Sequence, residues 1–187
     1  SKASLLIKAN GTPAKSQSLE TFKNLCVAET LAGSVEFGSS SGAAAERGTE
    51  LEPHARRWYE AMRGVDVRQT GLIYRDDTMS SGASPDGVCE DRCVEIKCLS
   101  RANHIGAIRY CEENNKPPPS FFAQLQMQMW IMGLDRVDLV FYTPEEGIPC
   151  KYYNYWMHPL AQLNLDELVT QFAEDVANIA RVIKGSE

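Results

Sequence analysis

The sequence predicts an α/β fold: a single domain, residues 1–187, built on a central mixed β-sheet flanked by helices. Two patterns lead there. Short runs with apolar residues at every second position, Val94 to Cys98 above all, read as strands. Around them, stretches with apolar residues three or four apart read as amphipathic helices. A chain of 187 residues is long enough to bury one sizeable core.

In chain order, Ser1 to Ala9 reads as a helix with Ser1 near its N-cap. Gly11 to Ser18 is a polar linker. Leu19, Phe22, Cys26 and Thr30 then repeat at helical spacing, with Ser18 as cap and Gly33 as stop. Gly38 to Gly42 is a serine-rich loop. Leu51, Ala55, Trp58, Tyr59 and Met62 mark a further helix. Val65 to Val67 and Gly71 to Tyr74 are strand-like, and Arg75-Asp76-Asp77 is a turn. Asn103 to Cys111 reads as helix. Ser120 is placed to cap a helix over Phe121 to Met132, stopped by Gly133, with Phe122, Leu125, Met129 and Met132 as its buried stripe. Val137 to Tyr142 and Lys151 to Met157 are strands joined by a Pro144-Glu145-Glu146-Gly147 turn. Tyr152, Tyr153, Tyr155 and Trp156 read as sheet packing rather than a base-stacking platform. Asn164 with Glu167 starts the closing helix, whose stripe runs from Leu165 to Ile183.

The chemistry gathers at Ser84-Pro85-Asp86-Gly87 and Val94-Glu95-Ile96-Lys97-Cys98. Period two puts Glu95 and Lys97 on one face of a half-buried strand, about 7 Å apart. Val94, Ile96 and Cys98 face a core. The polar stretch Cys89 to Cys93 suits a hairpin turn, which would fold Asp86 back beside Glu95. Two carboxylates and an amine on a sheet edge suit a hard divalent cation, Mg²⁺ or Mn²⁺, which takes one or two carboxylates plus substrate phosphate oxygens. Taken alone, Glu95-x-Lys97 reads as a solvated ion pair on a surface strand. Asp86 at the right distance upstream turns the reading to a metal-dependent nuclease site. Ser84, two residues before Asp86, shares its strand face and reaches the same phosphate, or serves simple turn chemistry.

Charge and cysteine content set limits. A net charge of −6 gives no general affinity for nucleic acid, so basic residues must be concentrated on one surface. Six cysteines in a chain of this length do not make a disulfide scaffold. With no secretory leader and no membrane span expected, a reducing cytoplasm follows. The spacing of Cys89, Cys93, Cys98 and Cys111 fits neither a zinc site nor ferredoxin-like ligation. Arg101, His104 and Arg109 are open to two readings, phosphate contact or ordinary surface charge.

Asp86 followed by Glu95-x-Lys97 resembles the PD-(D/E)XK nuclease signature. The flanks resemble its lambda exonuclease, or YqaJ viral recombinase, branch: Arg47 to Glu52 with Ala55-Arg56, Gly71 to Asp77, Ser84 to Gly87, Glu95 to Cys98, and Ala123 to Met127 with Trp130, in the family order. The resemblance implies a restriction-endonuclease-like core. It implies a 5′-to-3′ exonuclease on linear double-stranded DNA that uses one or two Mg²⁺ ions, releases mononucleotides and leaves a 3′ single-stranded tail. Asp86, Glu95 and the Ile96 carbonyl would hold metal. Glu52, otherwise an acid paired with Arg56 one turn on, would be a further site acid near the second metal. Gln124 would contact Lys97 or phosphate, and Ser1, Ser84 and Gln124 the 5′-phosphate. The partners implied are duplex DNA ends, two further copies in a homotrimeric ring, and a single-strand annealing protein, in a bacterial host cytoplasm. The alternatives are an endonuclease of the same superfamily and a non-catalytic DNA-end-binding protein.

Overall fold

The computed structural model describes residues 2–35 and 42–185. From the N-terminus the chain forms a 3₁₀ turn (Ala3–Leu5), α1 (Gln17–Ala32), α2 (Ala43–Arg63), β1 (Ile73–Tyr74) and β2 (Gly82–Ala83). It continues through β3 (Gly87–Val88), β4 (Cys93–Lys97), α3 (Arg101–Asn114), α4 (Pro119–Met132), β5 (Arg136–Phe141), β6 (Lys151–Trp156) and α5 (Pro159–Lys184). The central sheet has the spatial order β3-β4-β5-β6. The β3–β4 and β5–β6 pairs are antiparallel and β4–β5 is parallel, so the sheet is mixed as expected. A parallel pair needs a long crossover, which α3 and α4 supply. β1 and β2 form a separate two-stranded ribbon.

Alternation along β4 decides which core each side chain joins. Val94 and Ile96 pack with Ala55 and Tyr59 of α2, Val67 and Val140. Cys93 faces the other way, with Leu125 and Met129 of α4, Cys111 of α3, and Val137, Leu139 and Phe141 of β5. β4 therefore lies inside the sheet with both faces covered, not half-buried at an edge. The alternation of polar residues along it therefore does not mark a solvent-facing side; Glu95 is buried. α4 is buried on nearly every side. Phe122, Ala123, Trp130 and Ile131 face a further cluster with Ile7, Ala161 and Leu165.

Several helix ends differ from the sequence reading. Ser1 and residues 38–41 of the serine-rich loop lie outside the described residues. Of the segment Ser1 to Ala9, only Ala3–Leu5 is helical, and Ile7 makes a β-bridge to Pro13. Ser16, not Ser18, caps α1, its Oγ accepting the Leu19 N–H at 3.2 Å. α4 begins at Pro119, which puts Ser120 inside the first turn, and α5 begins at Pro159, five residues before Asn164. Proline at the first helical position lacks only an N–H that would be unpaired anyway. Asn164 instead donates Nδ2 to the Gly11 carbonyl at 2.7 Å. The stops at Gly33 and Gly133 are as expected, with φ 66° and 64°, the left-handed conformation that glycine adopts without penalty. Val65 to Val67 is not a strand; the neighbouring Arg68 makes a single bridge to Val88. Met62 and Ile183 lie off their helices' buried stripes and are exposed. The β6 tyrosines pack on the sheet: Tyr152 stands edge-on to Tyr59 at 5.6 Å, and Tyr153 stacks with Tyr155 at 6.4 Å. Among the described residues no helix is long and apolar enough to cross a membrane.

Gly87 opens the β3–β4 hairpin where the backbone passes close to Val67. A Cβ there would lie 2.2 Å from Val67 Cγ1. Gly87→Ala is therefore expected to lower the urea midpoint by the equivalent of about 1–3 kcal/mol, the usual cost of overpacking. An unchanged midpoint would show that Val67 yields freely.

Candidate active site

The hairpin register brings the acids together. Gly87 pairs with Val94, so the preceding Asp86 comes beside the Glu95–Ile96 peptide. Asp86 Oδ2 accepts the Ile96 N–H at 2.7 Å. Glu95 is only 2% exposed, enclosed between β4 and α4. A buried carboxylate needs donors. Oε1 receives Lys97 Nζ at 2.5 Å and Gln124 Nε2 at 2.5 Å, and Oε2 receives Gln128 Nε2 at 2.6 Å. Gln124 Oε1 accepts from Lys97 Nζ at 3.2 Å, closing a ring of three side chains, to which Gln128 is joined through Glu95. The Lys97 ammonium also lies 5.2 Å from the centre of the Phe121 ring.

The two glutamines reach one carboxylate because they are one turn apart on α4. Their shared face is visible in the sequence, and Gln124 is where the resemblance puts it. Gln128 is not singled out by sequence, since a polar helix face is more often solvated. It is buried here, as is Gln126, whose Oε1 accepts the His158 N–H at 2.6 Å.

Glu52 sits at the rim. Its carboxylate pairs with Arg56, whose Nε and Nη2 donate to the Asp86 carbonyl at 3.2 and 2.9 Å. The pair one turn apart that the sequence offers for Glu52 is therefore present, and through Arg56 it is joined to the backbone of Asp86. Arg56 is a residue the sequence reading left outside the site.

Ser84 is not on a strand beside Asp86; it lies in the irregular link between β2 and β3. With Lys2, Ser80, Ser81, Gln124 and Gln128 it lines a cavity of about 480 Å³. Phe22, Met127 and Phe172 are among the apolar side chains of its wall. Ser84 and Gln124 therefore share a cavity, while Ser1 lies outside the described residues. His104 is fully buried, with Nε2 2.9 Å from the Pro149 carbonyl and its ring edge-on to Phe141. It takes no part in the site. Arg101 and Arg109 pair with Glu145 and Glu113. All six cysteines are free.

Electrostatically, Asp86 is under strain. Burial, then the charge of Glu95, pushes its acid up from 3.8 to about 7, against the pull of the Ile96 N–H; Glu52 adds to the rise and Lys97 opposes it. Two crowded carboxylates of this kind are what a divalent cation relieves. Among the described residues no three His, Cys, Asp or Glu side chains form a ready-made metal cage.

A model of the YqaJ-like viral recombinase domain matches residues 1–135. The chain belongs to that family. Its fold is shared with the alkaline exonuclease LHK-Exo of Laribacter hongkongensis: 28% identity, 97% of this chain and 90% of that one, TM-score 0.79. A structure of LHK-Exo in complex with dAMP matches at 29% identity over 97% and 94% of the two chains, TM-score 0.77. A phage-related exonuclease from Haemophilus somnus 129PT shares the fold at 14% identity over 94% and 95%, TM-score 0.64. No curated protein matches the chain. The YqaJ assignment agrees with the sequence resemblance, and a nuclease is what these homologues imply.

The raised acid has a stability consequence in this YqaJ-family chain. Because the folded value lies above the ordinary one, the metal-free fold favours protonated Asp86. That contribution is whole below about pH 4 and is lost as pH rises through about 7. Asp86→Asn, which keeps an acceptor for Ile96, is expected to raise metal-free stability at pH 8 by about 2 kcal/mol and to change little at pH 4. Urea melts in chelator at both pH values check this; equal effects at both would contradict it.

Proposed function

We propose that this chain is a Mg²⁺-dependent 5′-to-3′ exonuclease that digests one strand of linear double-stranded DNA. In this reading it releases mononucleotides and leaves a 3′ single-stranded tail for strand annealing. The observation that carries the reading is the convergence of Asp86, Glu95 and Lys97 at the mouth of the β3–β4 hairpin. The family and the likeness to alkaline exonucleases support it. Asp86, Glu95 and the Ile96 carbonyl would hold the cation, Mg²⁺ or Mn²⁺, and Glu52 stands near the place of a second ion. When bound, the cation supplies a Lewis acid at the scissile phosphate and a more acidic water.

The protein's own groups divide the remaining work. Lys97 presents its ammonium to the charge that grows on the phosphate oxygens, a fixed donor in a largely water-free setting. Gln124 and Glu95 hold that ammonium in place, and Gln128 holds Glu95. Ser84 and Gln124, in the shared cavity, and Ser1 are assigned to the terminal 5′-phosphate. Residues 1–187 act as one domain, three copies form a ring around the duplex, and a single-strand annealing protein takes over the tail, all in a bacterial host cytoplasm.

The test is incubation with linear 5′-phosphorylated, linear 5′-hydroxyl and covalently closed circular duplex, with and without Mg²⁺. Release of mononucleotides from linear DNA is expected only with Mg²⁺, fastest from 5′-phosphorylated ends, with circles spared. Nicked circles would point to an endonuclease. Tight end binding without product would point to a binding protein. Lys97→Ala should cost about 10²–10³-fold in rate, the scale for removing one fixed donor at developing charge, and Asp86→Ala should abolish release. A native mass of one chain with processive digestion would count against the ring.

A further inference from the structure

Two arginines and one glutamate meet beside the site without belonging to it. Arg47 lies near the start of α2 and Arg101 is the first residue of α3. Glu145 stands on the turn between β5 and β6. Its Oε1 is 3.6 Å from Arg47 Nη2, and its Oε2 accepts a hydrogen bond from Arg101 Nε. The cluster is over-neutralised, two guanidiniums on one carboxylate. Arg101 is mostly exposed, its side chain at 77%, whereas the Arg47 Nε is buried and has no hydrogen-bond partner. Glu145 is held by its turn: its N–H donates to Thr143 Oγ1 at 3.3 Å and its carbonyl accepts from Ile148 N–H at 3.2 Å.

Place gives the cluster meaning. Arg47 precedes Glu52 by five residues on one helix, about 7.5 Å along its axis. Arg101 follows Lys97 by four residues. The Cys98 thiol, next to Lys97, lies within the fields of both Arg47 and Asp86. A guanidinium is a planar fork that matches a carboxylate and a phosphate alike, bidentately. An exposed pair such as Arg101–Glu145 is worth only about 0.2–1 kcal/mol, so a stronger anion displaces it easily. In a chain of net charge −6, a locally cationic pair at the edge of the site is where a polyanion can be held.

We propose that Glu145 occupies, in the free protein, the position of a substrate backbone phosphate, and that Arg47 and Arg101 exchange it for that phosphate when DNA binds. The proposal rests on the reading of the chain as a DNA exonuclease. Glu145 then acts as a competitor built into the surface: it keeps both guanidiniums oriented and is displaced by a correctly placed phosphate.

The test measures binding of a 5′-phosphorylated duplex by the full chain carrying Asp86→Asn to stop cleavage, by fluorescence anisotropy from 50 to 200 mM salt. Glu145→Gln should tighten binding about two- to fivefold at low salt, the scale of a lost exposed pair. Arg47→Gln and Arg101→Gln should each weaken binding and lower the salt slope, and together they should reduce it by about 0.9, one phosphate contact. Glu146→Gln, the same charge change one residue on, should have a clearly smaller effect. Urea midpoints establish that each variant is folded. An equal effect of Glu145→Gln and Glu146→Gln, no effect of Glu145→Gln, or unchanged salt slopes for the arginine variants overturns the exchange. If the wild-type protein nonetheless degrades linear duplex, the nuclease reading stands without it. If wild type neither binds nor degrades duplex, both fall.

Discussion

A carboxylate cannot be left in a protein interior without donors, and Glu95 is enclosed between β4 and α4. Much of the structure follows from that requirement. Lys97 supplies one donor from the same strand face, two residues on. Gln124 and Gln128 supply the others from one face of α4. Their one-turn spacing fixes the rotation and register of α4 against β4, while the apolar residues on its other faces fill the two cores around it. The site and the fold are therefore one construction: the helix that packs the sheet is also the helix that satisfies the acid.

The sheet buries a second acid, and the contrast is informative. Asp138 is fully buried on the α2 face. It accepts from the Tyr59 hydroxyl at 2.5 Å and Asn154 Nδ2 at 2.6 Å, with Arg63 and Arg92 both 3.5 Å away. Its charge is answered from several sides within the protein. At the other acid pair the protein answers less: Asp86 feels burial and the charge of Glu95 together, and its acid rises to about 7. A fold that leaves this tension in place gives up stability at the position where a cation would restore it, the usual relation between a strained site and its ligand.

Strand parity and hairpin length are local properties, so the placing of Glu95 and Lys97 on one face, with Asp86 folded beside them, is legible in the sequence. The family resemblance was carried by the same residues. What was not legible depended on distant partners. That β4 is covered on both faces follows from α2 and α4, not from its own five residues. Gln128 belongs to the site because of what α4 packs against. The starts of α4 and α5 were misplaced because proline at the first helical position replaced the expected serine and asparagine caps. His104 looked like a candidate phosphate contact and is buried instead, since its partner is the Pro149 carbonyl far along the chain.

The central claim, that Asp86 and Glu95 are held together for a divalent cation, is tested most directly by calorimetric titration of Mn²⁺ into the wild-type protein at pH 7 in buffers of different ionisation enthalpy. Asp86 must lose its proton to serve as a ligand. The account predicts binding with release of roughly half a proton at pH 7, fading toward none at pH 9, and loss of that binding in Glu95→Gln. Binding with no proton release at pH 7, or binding that survives Glu95→Gln unchanged, would contradict it.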